Sequence, residues 1–226
     1  MAEALKAIKN GFRIWRQVFI AAIPVNLVFL VCSATGVLLP PAVFGLNAYT
    51  FERLKGRPAT FETFWRGALH YLGKSYLWAG LNAVFLALAW INMRFYGNLS
   101  SDLGGALQWF FYLLGLIWLM MQMYLIPYVI QLTEESVWLA LRNSLFTVMA
   151  FPLYGISLFL MIVLISGAGT ATLFPLLMGL PVVLSLIGQC AVQDRLEVAH
   201  RRVREQQEEA NQPEPSQDNE EGIGQE

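Results

Sequence analysis

Four uncharged amide side chains are the main polar groups within the apolar part of this chain. Asn26, Asn47, Asn82 and Gln122 lie in four separate apolar runs, where an amide surrounded by hydrocarbon must find a hydrogen-bonding partner. Such amides can join neighbouring helices, each interhelical pair being worth roughly 0.6 kcal/mol on average. Alternatively, the four amides converge on a central polar cavity that holds a hydroxylated solute. The sequence leaves both interpretations open.

Ionisable residues, in contrast, are absent from the middle of every apolar run. An enzyme within the membrane needs placed acids, bases or nucleophiles, and a coupled transporter usually needs an ionisable residue within a span. The pattern therefore argues against an intramembrane protease and against ion-coupled transport through an acidic residue. There is also no glycine-rich phosphate loop. We expect a protein that is not an enzyme and has no catalytic residue.

Metal-ligating residues are few and scattered. Cys32 and Cys190 fall in the first and last apolar runs, and His70 and His200 are far from both cysteines and from each other in sequence. A metal site needs such ligands in a cluster. We therefore expect neither a metal nor a cofactor, and we interpret both cysteines as small apolar residues.

The composition indicates that lipid is the solvent of this chain. Of 226 residues, 56% are hydrophobic and only 14% are charged, whereas a soluble domain carries about a quarter charged residues. The acidic surplus lies in the tail after Gln193, which leaves the rest of the chain net basic. That charge suits the anionic head groups of a lipid bilayer better than it suits nucleic acid.

Six apolar runs are candidates for transmembrane helices. A helix needs about 20 apolar residues to cross a bilayer core of roughly 30 Å. Pro40 and Pro41 must end the first helix, because proline lacks an amide donor, although proline fits the first turn of a new helix. The run that follows these prolines is short for a span. The predicted spans are 18–39, 41–54, 76–93, 107–130, 145–166 and 170–192.

The basic residues favour counting the short run as a span. With six spans, all the basic groups except Arg94 fall on one side, as the positive-inside rule requires of the cytoplasmic side. The predicted fold is an all-α membrane protein of three helical hairpins in the plasma membrane, with both termini in the cytoplasm. Its parts are an amphipathic segment at 1–17, a six-span domain at 18–193 and a cytoplasmic tail at 194–226. We expect that tail to be helical at first and then disordered.

Two cytoplasmic connectors resemble each other. Glu62-Thr63-Phe64-Trp65 aligns with Glu135-Ser136-Val137-Trp138, and each precedes a predicted span. Both connectors place apolar residues at helical spacing, which predicts amphipathic helices, with Thr133 as the N-cap of the second. Such helices either seat the bundle in the inner leaflet or dock a protein partner, cytoplasmic or membrane-bound. The candidate docking residues are Trp65, Arg66, His70, Trp138 and Arg142.

The order of these features resembles the YesL-type bacterial membrane proteins of unknown function. The resemblance rests on the segment 26–46 with its proline break, on Phe64-Trp65-Arg66, and on Tyr124-Leu-Ile-Pro-Tyr leading to Ala140-Leu-Arg-Asn-Ser-Leu. It covers roughly residues 18–196, although Pro40-Pro41 stands where the usual pattern has Gly-Pro. The family has no established activity and therefore implies no site residue. Its frequent association with sugar-uptake and polysaccharide-degradation genes implies a role alongside carbohydrate import.

Two functions from different classes are therefore expected. The first is a permease-like or accessory component associated with solute uptake. In that role the paired connectors would contact a protein partner. The alternative is a structural or regulatory membrane protein that senses lipid or assembles partners. Neither requires a catalytic residue.

Overall fold

The computed structural model describes residues 2–99, 101–171 and 173–210, and all the regular secondary structure within them is helical. The chain divides into two compact units, Met1–Gln193 and Asp194–Glu226. The second unit begins within α9, which continues to Ala210. Disorder is expected beyond Gln206, and from residue 211 onward the chain lies outside the described residues. The helices of the described part are α1 Ala2–Ala34, α2 Leu39–Leu54, α3 Phe61–His70, α4 Leu72–Gly97, α5 Asp102–Gln131, α6 Val137–Ala150, α7 Pro152–Ala171, α8 Leu173–Met178 and α9 Leu180–Ala210.

Four helices are long and apolar enough to cross a membrane: Glu3–Ala34, Leu72–Gly97, Asp102–Gln131 and Pro152–Ala171. The apolar side chains of three of them largely face outward, whereas half of the apolar window of Asp102–Gln131 is buried. In α4, for example, Leu77, Val84 and Trp90 are all more than half exposed. Exposed apolar surface on this scale is typical of a protein that contacts lipid. The prediction of an all-helical protein with apolar helices of membrane length is thus confirmed.

The first predicted span ends earlier than expected. α1 ends at Ala34, and a turn in which Gly36 has a φ of +70° leads into α2 at Leu39. The adjacent prolines Pro40 and Pro41 occupy the first turn of α2, where a missing amide donor costs nothing. The helix break thus precedes the prolines by several residues.

The predicted span 145–166 is interrupted at Phe151. This residue separates α6 from α7 and has a non-helical backbone, with φ −131° and ψ 60°. Pro152 is the cause, because a proline ring disfavours the helical conformation of the residue before it and is well placed at the start of a new helix. The residues 145–150 therefore belong to the second connector helix, and α7 is displaced towards Ala171.

The last predicted span, 170–192, is also divided. Thr170 belongs to α7, the six-residue helix α8 follows, and Gly179 then turns the chain with a φ of +121° before α9 begins. Glycine alone adopts that backbone conformation readily. The apolar part of α9 consequently starts only at Leu180, which makes it shorter than a complete span.

α2 lies at the centre of the described packing. Nine of its 16 residues are buried, and α3 packs closely against it. A Cβ atom added to Gly45 would lie 2.6 Å from the carbonyl oxygen of Phe64, and one added to Gly67 would lie 2.5 Å from Cβ of Ala48. Small residues at these positions allow the two backbones to approach as they do at tight helix contacts in membranes.

The contacts of α2 with α4 stay near the start of α4. Tyr76 donates a hydrogen bond of 3.0 Å to the carbonyl of Val37, in the turn before α2. Further along, Phe44 packs its ring against Tyr71 and Trp78. On α4, these side-chain contacts lie within its first two turns.

Candidate functional site

Gln122 and Asn82 are hydrogen-bonded partners in a network between α4 and α5. Gln122 Oε1 accepts hydrogen bonds from Trp78 Nε1 at 2.9 Å and from Asn82 Nδ2 at 3.3 Å. Asn82 Oδ1 in turn accepts one from Trp118 Nε1 at 3.0 Å. Phe85 stacks on the Trp118 ring, with the centroids 4.0 Å apart. The polar atoms of these two amides are therefore satisfied by protein groups.

Asn47 belongs to a second network, which joins α2, α5 and α9. Gln189 Nε2 donates to the carbonyl and to the side-chain oxygen of Asn47, at 3.2 and 3.3 Å. Gln131 Nε2 donates to Gln189 Oε1 at 2.7 Å. One turn further on, the hydroxyl groups of Thr50 and Ser185 are 2.7 Å apart. These polar side chains of the buried helix α2 are thus hydrogen-bonded. An unbonded polar group in a low-dielectric surrounding would cost free energy.

The two networks border one cavity of about 280 Å³. Asn47 and Gln122 both line it, and most of its wall is apolar, including Val43, Ile126 and Leu184. The structure thus brings two of the predicted amides to a shared cavity and links Asn82 to one of them by a hydrogen bond. This volume of about 280 Å³ is just below the range for small-molecule sites, which is about 300–1,000 Å³.

Asn26 lies elsewhere. Its Nδ2 donates to the carbonyls of Leu176 and Leu177 at 2.9 and 3.0 Å, and it does not line the cavity. Those carbonyls belong to the last turn of α8, where no backbone amide within the helix can reach them. Asn26 thus caps a short helix, and the convergence of all four amides on one cavity stays a prediction.

A second polar cluster surrounds Glu135, in the loop between α5 and α6. Its carboxylate accepts hydrogen bonds from the Tyr71 hydroxyl at 2.9 Å and from Lys74 Nζ at 2.6 Å, and His70 Nε2 lies 2.9 Å from it. Two of these partners, Tyr71 and Lys74, are at the junction of α3 and α4. One carboxylate thus connects both predicted connectors.

This clustering shifts the pKa of two groups. Partial burial alone would raise the pKa of Glu135, but hydrogen bonds from Lys74, His70 and Tyr71 outweigh it and lower the pKa from 4.5 to about 2. Burial raises the pKa of the Tyr71 hydroxyl, and its hydrogen bond to the Glu135 carboxylate raises it further. At neutral pH the cluster therefore holds a charged carboxylate and a neutral phenol.

The candidate docking residues are spread around this cluster. Trp65 and Trp138 are exposed, Trp138 at 73% of its surface, and Arg142 is exposed on α6. Arg66 pairs with Glu62 one turn away on α3. Only His70 contacts the other connector directly, through Glu135. The second connector helix is capped by Ser136, whose hydroxyl accepts from the amide of Leu139, so the prediction of Thr133 as N-cap is wrong.

No family model, curated protein or solved structure matches this chain. Within the described residues, no group of three or more His, Cys, Asp or Glu side chains is placed to hold a metal ion. The chemistry of this protein has to be inferred from its own geometry.

Sequence reasoning missed most of the partners of the amides. Trp78 and Asn82 are four residues apart on α4, and Trp118 and Gln122 are four residues apart on α5. That matched spacing places a donor and an amide on one face of each helix and could have revealed the network. Gln189 was overlooked although it lies within the predicted span 170–192, three residues before the end of that span.

Proposed function

We propose that this chain is a non-enzymatic, multi-pass plasma-membrane protein that serves as an accessory component of solute uptake by contact with a protein partner. The observation that carries the proposal is the Glu135 cluster. It joins the end of α3 to the loop before α6 by hydrogen bonds. The exposed side chains of the two connectors are therefore held in a fixed position relative to each other. The resemblance to YesL-type proteins adds carbohydrate import as the process.

The core amides support an accessory role over a carrier role. Each polar side-chain atom of Gln122 and Asn82 is hydrogen-bonded to an indole, amide or carbonyl group of the protein, and Asn47 is bonded to Gln189. A sugar-binding site needs polar groups free to exchange hydrogen bonds with several hydroxyls. On the connectors, the groups that can bond to a partner are on the outer surface. There the Arg142 guanidinium and the Trp138 indole are exposed.

Site-directed crosslinking tests the accessory role. The tagged protein is crosslinked in its native membrane, extracted in mild detergent and compared with the double variant R66A/R142A. We expect one captured membrane or cytoplasmic protein that is lost from the variant but kept in R94A, which removes an exposed arginine near the end of α4. Deletion of the protein should slow uptake of labelled sugar. Equal capture by all variants, or unchanged uptake, would refute the proposal.

The cavity beside Asn47 favours a second candidate function, binding of a small uncharged solute within the membrane. It is lined by two amides and borders five helices. Thermal-shift titration with monosaccharides and small alcohols would test it in detergent. A ligand of this site should stabilise the native chain and the control N92L, whose amide bonds only within α4. The same ligand should not stabilise the variant N47L/Q122L.

The six-span arrangement with cytoplasmic termini is also our proposal. It requires α2 to cross the bilayer, so that Val37 and Lys55 face opposite sides. It must also accommodate the hydrogen bond between Tyr76 and Val37, which draws the turn after α1 towards the start of α4. Labelling with impermeant thiol reagents tests whether α2 crosses the bilayer. Single cysteines are placed at positions 37, 55 and 201 in cysteine-free protein. Labelling of 37 from outside and of 55 and 201 only from the cytoplasm supports six spans, and any other pattern refutes them.

A further inference from the structure

The amino-terminal half of α1 carries a cationic face. Lys9, Arg13 and Arg16 recur at a spacing of four and three residues, which places them on one side of the helix. All three are exposed, and no ion pair within the described part of Met1–Gln193 involves them. Three neighbouring cations without a carboxylate are a favourable site for an anion.

An aromatic face of the same helix lies directly beside these cations. Phe12, Trp15 and Phe19 line an open cavity of about 480 Å³, and residues of α7, α8 and α9 form its other walls. Its other lining residues, such as Ile165 and Val183, are apolar, and none is charged. Such a cavity accepts hydrocarbon and excludes charged or strongly polar molecules.

The cationic face forms a second concave surface, also of about 480 Å³, that adjoins the first. Phe12 and Trp15 line both of them. Lys9, Arg13 and Arg16 surround the second one and are absent from the first. An apolar space and a cationic space thus share one aromatic wall. Tryptophan prefers the depth at which lipid head groups meet acyl chains, which places that boundary at Trp15.

We propose that this pair of concave surfaces is a binding site for one anionic phospholipid. An acyl chain occupies the cavity between α1, α7, α8 and α9, and the phosphate of the head group contacts Lys9, Arg13 and Arg16. The site selects an anionic head group because a choline group would bring a further positive charge beside these three cations. This inference does not depend on the proposed accessory function.

Lipid retention by the purified full-length protein tests the site. The protein is equilibrated in detergent with phosphatidylglycerol or phosphatidylcholine of identical acyl chains, and bound lipid is counted by native mass spectrometry. We expect phosphatidylglycerol to bind at least about tenfold more tightly, since each basic residue near an anionic lipid contributes to the preference. The variant K9Q/R13Q/R16Q should bind both lipids alike, whereas R94Q should keep the preference.

A second pair of variants tests the apolar half. A168F places a ring in the cavity and should weaken binding of both lipids, whereas L164F, on an exposed position of the same helix, should not. If the triple variant is not recovered folded, R13Q alone should reduce the preference in part. Equal binding of the two lipids by the native chain would overturn the proposal. So would displacement of phosphatidylglycerol by inorganic phosphate, which would indicate a site for free phosphate.

Discussion

The carboxylate of Glu135 lies 2.9 Å from the imidazole of His70, although 65 positions separate the two residues in the chain. This contact joins the end of α3 to the loop between α5 and α6. Lys74 and Tyr71 complete the same cluster from the start of α4. The stability of this end of the bundle should therefore depend on the charge of one carboxylate.

We predict that E135Q lowers the free energy of unfolding at pH 7 by about 1 kcal/mol, a value reduced from that of a buried charged hydrogen bond because the site is partly exposed. The native pKa of Glu135 is lowered from 4.5 to about 2. The stabilisation is therefore fully present above pH 4.5 and is lost as the pH falls towards 2. Thermal unfolding of both proteins in detergent between pH 7 and pH 2.5 measures the effect.

The matched control is E62Q, which removes a carboxylate paired with Arg66 on the exposed side of α3. Exposed pairs of this type contribute little, so E62Q should unfold at nearly the native temperature throughout this pH range. A difference between native protein and E135Q that stays constant down to pH 2.5 would contradict the role assigned to Glu135.

The contact between α2 and α3 should not tolerate a single added methyl group. In G45A and G67A the new Cβ would meet Phe64 or Ala48 closer than any normal contact, so the helices must separate. We expect each variant to lose about 1–3 kcal/mol of stability, as overpacked sites do. G80A is the control, since nothing lies within 4 Å of its Cβ position. Unfolding in mixed micelles gives the comparison, and equal effects at all three positions would be evidence against close packing.

Trp78 and Gln122 should be energetically coupled. A double-mutant cycle with W78F and Q122L isolates the hydrogen bond between the indole and the amide oxygen. Interhelical hydrogen bonds of this kind in membranes average roughly 0.6 kcal/mol and reach about 1.7 kcal/mol, and we expect a coupling energy within that range. N92L combined with Q122L should give additive losses, because Asn92 bonds only to Leu88. Additivity in the first cycle as well would exclude the proposed network.

Gly179 should be sensitive to substitution for a different reason. Its φ of +121° is strained for a side chain, and a Cβ there would lie 2.8 Å from Nε1 of Trp15. We predict that G179A costs about 1–3 kcal/mol, whereas G73A, in open space on α4, changes stability by less than about 1 kcal/mol. Circular dichroism should show unchanged helix content in both variants. Native-like stability of G179A would mean that the turn before α9 adopts another conformation.

Composition and hydropathy were sufficient to predict a helical membrane protein, because apolar runs near 20 residues have few other structures available to them. The ends of the helices were harder to predict. Leu145 and Phe151 belong to one apolar run, and hydropathy does not register that Pro152 divides it. Gly179 likewise looks like an ordinary small residue in an apolar run until its backbone conformation is known.

The candidate site was predictable in part. The residue types of Asn47, Asn82 and Gln122 indicated that they need partners, and the structure supplies those partners on neighbouring helices. Which helices are neighbours depends on tertiary packing, and no local pattern reveals that Gln189 meets Asn47 across 142 positions. The alignment of Glu62 with Glu135 predicted similar connectors, yet only Glu135 joins two parts of the chain, because only it faces the α3–α4 junction.

The pairing of α2 with α9 constrains how the nascent chain can mature. Asn47 and Thr50 leave the ribosome long before Gln189 and Ser185, the side chains that later satisfy them across the helix interface. Until then the side chains of Asn47 and Thr50 have hydrogen-bonding partners only within α2, the carbonyls of Val43 and Asn47. A polypeptide truncated before Leu180 would retain the four helices of membrane length and still lack the partners that α9 supplies to α2.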